Sequence, residues 1–451
     1  MLDPLTSRPI FTLARRAHQL PFRASPGPQA GCAVRAAAAL VVAALGFAAP
    51  THADVVTDWN ALALQAVRTT GAAPPPTARN LAMLHTAMYN AVAGVNGSSL
   101  YGGFAPATQQ ALAQAAAAQA ARDVLVAAYP SQAATFNSAL ASQLAALPAG
   151  AQRDAGVAYG SQAAAHILSL RASDGSSAPV TYTPSSDPGR WQPTGPLSTP
   201  LFQAYATTTP WGMTTCDQFR PAAPPSLASP EYAQALQQVR TLGSATSSVR
   251  TAEQTQIANL WAAGGGTVTP PGMWNQIAQH TISARPQIDL LQSARAFALL
   301  NMALADAAVC AWDAKAHYDF WRPVTALQGI EPGWQPLLTT PQFQSYTSGH
   351  STFSAAGAAV LAGFFGTDNI PFSVTNDNGT VVRWFNSFSG AAAEAGMSRI
   401  YGGIHFNVDD FAGRASGGAL GSYVYGNYLV PAPGAAAALL LAGGLLARRR
   451  R

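Results

Sequence analysis

The chain has 451 residues, 49% apolar and 10% charged, which excludes a disordered chain and allows one large domain or two smaller ones. The formal charge of +5 sits at the ends: Arg8, Arg15, Arg16, Arg23 and Arg35 face a single acid, Asp3, in the first 53 residues, and the last four residues are Arg448 to Arg451. The body between them carries −3 and has no basic stripe interleaved with aromatics, which sets nucleic acid aside as a partner.

In chain order, residues 1–53 read as a secretory signal peptide. A basic stretch ends at Arg35, an apolar run covers Ala36 to Ala49, and Thr51-His52-Ala53 is a small-residue cleavage site, so the protein is expected to be exported to the periplasm, cell surface or exterior. Residues 54–230 form an amino-terminal half. Helical spacing covers Asp58 to Arg68, Thr77 to Val95, the Ala/Gln-rich stretch Thr108 to Ala128, and Gln152 to Arg171, followed by a long Pro/Gly/Ser-rich connection from 174 to 230. Residues 231–428 form a carboxyl-terminal half, with helices expected at Tyr232 to Ser244, Ala252 to Ala262, Trp274 to Ser283 and Ile288 to Tyr318; a Gly- and Pro-rich interruption falls at 264–271. The predicted class is all-α, two helical bundles in one compact domain. Residues 429–451 read as a sorting tail. Pro431-Ala432-Pro433 is followed by an apolar run of 14 residues and four Arg, the only expected membrane contact before processing, being short of the roughly 20 residues a free-standing span needs. Once Cys32 leaves with the leader, Cys216 and Cys310 can form one disulfide or remain two buried thiols, and both possibilities stay open.

Three segments carry the chemistry. Of 25 Lys plus Arg only Lys315 is lysine, which marks a place where a compact ammonium is needed in a chain that uses arginine everywhere else. Seven residues separate Lys315 from Arg322, a spacing that puts both on one face of a helix, with Pro323 ending it at Arg322. In the second segment, Tyr346-Thr347-Ser348-Gly349-His350-Ser351, a helix starting near Ser351 would aim its N–H groups at an anion over Ser348 and Gly349, with His350 at the rim as acid or base. In the third, Ser398-Arg399 precedes His405 and Asp409, whose four-residue spacing on a helix lets the carboxylate hold one imidazole nitrogen. Asp410 next door is an alternative orienting acid, but it falls off that register and otherwise reads as a solvated helix face. The chain has no carboxylate or Cys/His cluster suited to holding Zn²⁺ or Mg²⁺.

Lys-x6-Arg-Pro, Ser-Gly-His and Ser-Arg-x5-His-x3-Asp, in that order across residues 315–409, resemble the signature shared by vanadium-dependent haloperoxidases and PAP2-type acid phosphatases. Trp59-Asn60 and the stretch Arg79 to Tyr89 look like the leading helices of the bacterial haloperoxidases, and the carboxyl end resembles PEP-CTERM signals, with Ala432 where Glu is usual. Thr347 stands where the family often has Pro, a departure expected to relax the turn without abolishing the site. The resemblance implies a vanadate cofactor. Lys315, Arg322, Ser348, Gly349 and Arg399 would hold its oxygens, His405 would bond vanadium, Asp409 would orient His405, and His350 would handle protons. Hydrogen peroxide and a halide would be the substrates, with an organic acceptor also compatible. Trp312 and Phe343 match positions where fungal-type chloroperoxidases place aromatics beside the halide. The alternative implied by the same signature is a secreted phosphatase in which His405 attacks phosphorus and His350 protonates the leaving alcohol. Chain length and the lack of several long apolar spans favour the haloperoxidase.

Overall fold

A computed structural model describes residues 54–430; the expected leader, and the tail from 431 onward, lie outside the described residues. Among the described residues there are thirteen α-helices and one small hairpin, so the class is all-α. The helices are α1 (Val55–Thr70), α2 (Pro74–Val95), α3 (Ala113–Ala128), α4 (Ala133–Ala145), α5 (Ala151–Arg171), α6 (Pro230–Gly243), α7 (Ala252–Leu260), α8 (Thr269–Ser283), α9 (Leu290–Tyr318), α10 (Pro323–Gln328), α11 (Gly349–Phe365), α12 (Phe388–Tyr401) and α13 (Asn407–Asn427).

The organising element is α9. It is apolar on all sides, as a helix surrounded by protein must be, and is held at its start by a reciprocal Asp289/Gln292 capping box. By length and composition it could cross a membrane, but its apolar window is 94% buried within the protein, the position of a core helix. On one side α2 packs against it, and α3 and α5 pack on α2; on the other side lie α11 and α13.

A glycine stripe sets the spacing of the site-bearing pair α11 and α13. Gly413, Gly417 and Gly421 recur every four residues on α13, and a Cβ at each would fall 2.8, 2.2 and 2.5 Å from the carbonyl oxygens of Ser348, Thr352 and Ala356. Only glycine permits this approach, and it brings the amino-terminal ends of both helices side by side.

Several boundaries differ from expectation. Helix α3 begins at Ala113 rather than Thr108, and α4 was not anticipated. Helix α8 begins at Thr269 and carries Pro270 and Pro271 in its first turn, where a missing N–H costs nothing, so the Pro-Pro pair opens the helix instead of interrupting it. The unforeseen hairpin pairs β1 (Phe372–Thr375) with β2 (Val382–Phe385), Phe372 opposite Phe385, around a turn containing Asn378-Gly379. Between α5 and α6 the chain is an ordered connection with one short 3₁₀ turn at Gln203–Thr207, as its composition indicates. Cys216 and Cys310 are free thiols.

Candidate active site

Helix α9 does not carry both cations. It stops at Tyr318 because Asp319 takes a left-handed conformation (φ 51°) and its N–H closes on the Lys315 carbonyl at 3.0 Å. Arg322 lies beyond, extended as a residue before proline should be, and immediately precedes α10. The two cations meet because the chain turns back, which replaces the one-helix-face geometry expected from their spacing.

Lys315 is fully buried and its Nζ donates to the carbonyls of Gln344 (2.8 Å), Ser345 (3.0 Å) and Thr347 (2.5 Å). Three rotatable N–H donors converging on one turn suit an ammonium and not a planar guanidinium, which accounts for the solitary lysine. Burial, then Arg322, push this amine well below its usual value. The fully buried Arg322 donates Nε to Phe343 O (2.7 Å) and Nη1 to Ile404 O (2.6 Å), while its Nη2 has no partner. Arg399, in the last turn of α12, donates Nη1 to Trp261 O (3.1 Å), and its Nε has no partner. Burial brings each of these two guanidinium groups down to about 9.

His405 precedes α13, so its pairing with Asp409 is not a contact along a helix face. Asp409 sits in the first turn and reaches back over the helix start. Its Oδ2 lies 2.8 Å from His405 Nδ1 and accepts the Phe406 N–H at 3.0 Å. Arginine can only donate, and Arg322 Nη1 lies 3.0 Å from His405 Nε2. The imidazole therefore carries its proton on Nδ1 and a lone pair on Nε2. Burial, followed by Arg322, Lys315 and Arg399, holds His405 well below its usual range, so it is neutral. Burial pushes Asp409 up to about 6, and its Oδ1 has no partner.

Helix α11 begins at Gly349, two residues before the expected start, with Ser348 as its cap: the Ser351 N–H reaches Ser348 Oγ at 3.3 Å. Ser348 N–H donates to Asp409 O at 3.0 Å, a direct tie between the two helix starts. At Gly349 an added Cβ would make ordinary contact with the Trp312 and Phe353 rings at 3.6 and 3.8 Å, so the glycine is not enforced there by crowding from the protein. His350 is partly exposed, but its Nε2 is enclosed without a partner, and burial together with Arg399 keeps the ring well below its usual value. Trp312 and Phe343 have ring centroids 5.1 Å apart; Lys315 Nζ lies 5.7 and 5.2 Å from them, and Arg322 Cζ is 4.9 Å from Phe343. Trp312 also donates Nε1 to Leu201 O (3.0 Å), an anchor to the long connection.

All ten residues singled out from sequence thus converge at the ends of α9, α11, α12 and α13. Asp410 is corrected: it is fully buried and pairs with Arg414 through two contacts of 3.0 and 3.1 Å, in space left by Gly396, where a Cβ would collide with its carboxylate. Ser345 was missed. Its Oγ donates to Asp409 Oδ2 at 2.5 Å, and nothing local in the sequence marks it, because its partner is 64 residues away.

Similar proteins are known for the region that carries these residues. The VCPO second helical-bundle domain matches residues 295–333 and 328–430, the region that holds every site residue. Vanadium chloroperoxidase of Curvularia inaequalis is 28% identical over 281 residues, which is 47% of this chain and 46% of that protein, so the match spans less than half the length of that relative. The solved structure of the first bacterial vanadium-dependent iodoperoxidase superposes with a TM-score of 0.73 at 27% identity, covering 82% of this chain and 95% of that one. The chain is thus similar, in sequence and in fold, to vanadium haloperoxidases. A bacterial vanadium-dependent chloroperoxidase in its apo form shares the fold at a TM-score of 0.65 and 14% identity, covering 77% and 92% of the two chains. The shared architecture therefore extends over about four-fifths of this chain.

Proposed function

We propose that this chain is a vanadate-dependent haloperoxidase that oxidises a halide with hydrogen peroxide to a hypohalous-acid-like halogenating species. The observation that carries the reading is charge imbalance in a sealed place: Lys315, Arg322 and Arg399 surround His405 with only the Asp409 carboxylate against them. Buried cations without counter-charge are strongly disfavoured, and unpartnered Arg322 Nη2 and Arg399 Nε are donors that a tetrahedral oxyanion would satisfy. The residues present therefore fit vanadate.

Bound there, vanadate would supply a Lewis-acid centre that activates peroxide. The chain's own groups do the rest. Arg322, Arg399 and the start of α11 with Ser348 and Gly349 neutralise and orient the oxyanion. Neutral His405, its Nδ1–H held by Asp409, would present its Nε2 lone pair to the bound group once Arg322 Nη1, 3.0 Å away, releases it. His350, neutral and with an unpartnered Nε2, accepts a proton from an incoming peroxide and returns it later. Lys315 would contribute charge while bracing the 344–347 turn, and would reach an oxygen of the bound group only by giving up one of its three carbonyl bonds. Trp312 and Phe343 give a halide an apolar wall beside these cations.

The test is peroxide-dependent bromination of a phenolic dye by purified protein with and without orthovanadate, beside aryl phosphate hydrolysis by the same protein. Halogenation that needs orthovanadate is the expected result; phosphate hydrolysis without halogenation would overturn it in favour of the phosphatase chemistry. The basic apolar leader and the tail further support export as part of this proposal.

A further inference from the structure

We infer that Ser345 is a positioning residue of this site, the single side chain that locks the Asp409 carboxylate, and through it the His405 imidazole, in register with the loop that Lys315 braces. This rests on the oxyanion reading above. Ser345 is fully buried and bonds in three directions: its N–H donates to Phe320 O at 2.9 Å, its carbonyl accepts from Lys315 Nζ at 3.0 Å, and its hydroxyl donates to Asp409 Oδ2 at 2.5 Å. The first two bonds fix its backbone to the segment after α9 and to the buried ammonium. The hydroxyl is then left at a set point in space, also 3.3 Å from His405 Nδ1.

Asp409 needs such an anchor. Its Oδ1 has no partner, so its orientation depends wholly on what Oδ2 meets: the Phe406 N–H, the His405 ring and Ser345. Of the three, His405 is the group to be oriented, and Phe406 belongs to the same short segment as His405. Ser345 alone refers the carboxylate to a different part of the molecule. Without its hydroxyl the carboxylate can rotate about its side-chain torsions, and the His405 Nε2 lone pair loses its aim. Groups that orient a ligating histidine typically change affinity at the site about tenfold to a hundredfold when removed.

The experiment uses the full-length chain and its Ser345→Ala and Ser345→Thr variants, both of which keep the two backbone bonds. Orthovanadate binding is measured by calorimetry, and the His405 tautomer is read from ¹⁵N imidazole shifts without any added anion. Ser345→Ala is expected to bind orthovanadate about tenfold to a hundredfold more weakly and to shift the His405 ¹⁵Nδ1 resonance as its bond to Asp409 loosens, the lone pair staying on Nε2 opposite Arg322, while Ser345→Thr, which retains a hydroxyl, stays within about threefold of wild type. Wild-type affinity in Ser345→Ala, a threonine variant no better than alanine, or a wild-type His405 protonated on Nε2 would each overturn the role. Should wild type bind neither orthovanadate nor phosphate, the oxyanion reading itself falls, an outcome the anion-free tautomer measurement keeps separate from the question of Ser345.

Discussion

The protein holds two largely buried groups of charged side chains, one of them reached by the partly exposed Arg79, and they are built in opposite ways. Where α5 and α9 meet the long connection, Arg79 and Arg171 both contact Asp174 (2.7 and 3.2 Å), Arg171 also donates to the carbonyls of Thr209 and Pro210, and Asp306 accepts the N–H groups of Trp211, Gly212 and Met213 at 2.6 to 2.8 Å. Two cations face two carboxylates, and no buried side-chain polar atom of these four residues lacks a partner. At the ends of α9, α11, α12 and α13, three cations face one carboxylate, and Arg322, Arg399, His350 and Asp409 each have an unpartnered atom. The first arrangement is complete and pins a loop. The second leaves guanidinium donors and surplus positive charge that an anion would satisfy. An orphan atom alone does not make the distinction, since buried His85 also has an unpartnered Nδ1 in neutral surroundings; the orphan atoms together with the unbalanced charge do.

The largest expected effects separate these two regions. Lys315→Ala and His405→Ala each reduce halogenation by at least about a hundredfold, the scale seen when an oxyanion-stabilising group is removed. Retained wild-type turnover in either would sink the site assignment. Asp174→Ala does the reverse: it leaves Arg79 and Arg171 unpaired and lowers stability by about 3–5 kcal/mol in urea titration, with turnover per folded molecule little changed. Arg399→Met, which removes a surplus cation, should cost activity without that loss of stability.

A smaller effect tests completion by an anion directly. Orthovanadate at about a hundred times its dissociation constant should stabilise wild type by about 2.7 kcal/mol, visible as a raised melting temperature. Asp174→Ala should keep this increment and Arg322→Ala should lose it. If Arg322→Ala gains as much as wild type, the anion binds elsewhere.

The ordered trio of motifs made the site legible in the sequence before any coordinates, because ionisable residues at fixed spacings carry their chemistry with them. What joined them was not legible. The spacing of Lys315 and Arg322 implied one helix, yet a left-handed Asp319 ends it first; aspartate is a less visible stop signal than glycine. The four-residue spacing of His405 and Asp409 gave the right pair for the wrong reason, since the contact crosses a helix start. Ser345 acquires its role from packing, which local sequence does not encode. In the fold, long periodic helices such as α2 and α9 were visible, whereas the hairpin of two four-residue strands offered too little period-2 pattern.

A pH experiment sharpens the same contrast with a histidine that has no part in the site. His85 is fully buried, stacks on Phe297 with centroids 4.8 Å apart, and lies 3.1 Å from Asn60 Oδ1; desolvation brings it down to about 3. A histidine with a lowered folded value contributes stability in full above its unfolded value of 6.5 and loses it as pH falls toward 3. Between pH 7 and 4.5 this one group should cost about 2.5 kcal/mol of unfolding free energy, and His85→Gln should remove that slope. An unchanged slope would mean that other groups dominate acid unfolding.

The smallest expected effect concerns the aromatic wall. Phe343 is partly exposed and its ring lies against both Lys315 and Arg322, whereas Trp312 is buried and anchored by its indole to Leu201. The two rings should therefore fail differently. Phe343→Leu keeps the backbone carbonyl that Arg322 needs but removes a ring–cation contact worth about 0.5–2 kcal/mol, so kcat/KM for bromide relative to iodide should shift by about tenfold with orthovanadate affinity nearly preserved. Trp312→Phe loses an indole donor in the core and should lower stability more than selectivity. Unchanged halide preference in Phe343→Leu would make both rings packing for the cations and place the halide on another wall of the site.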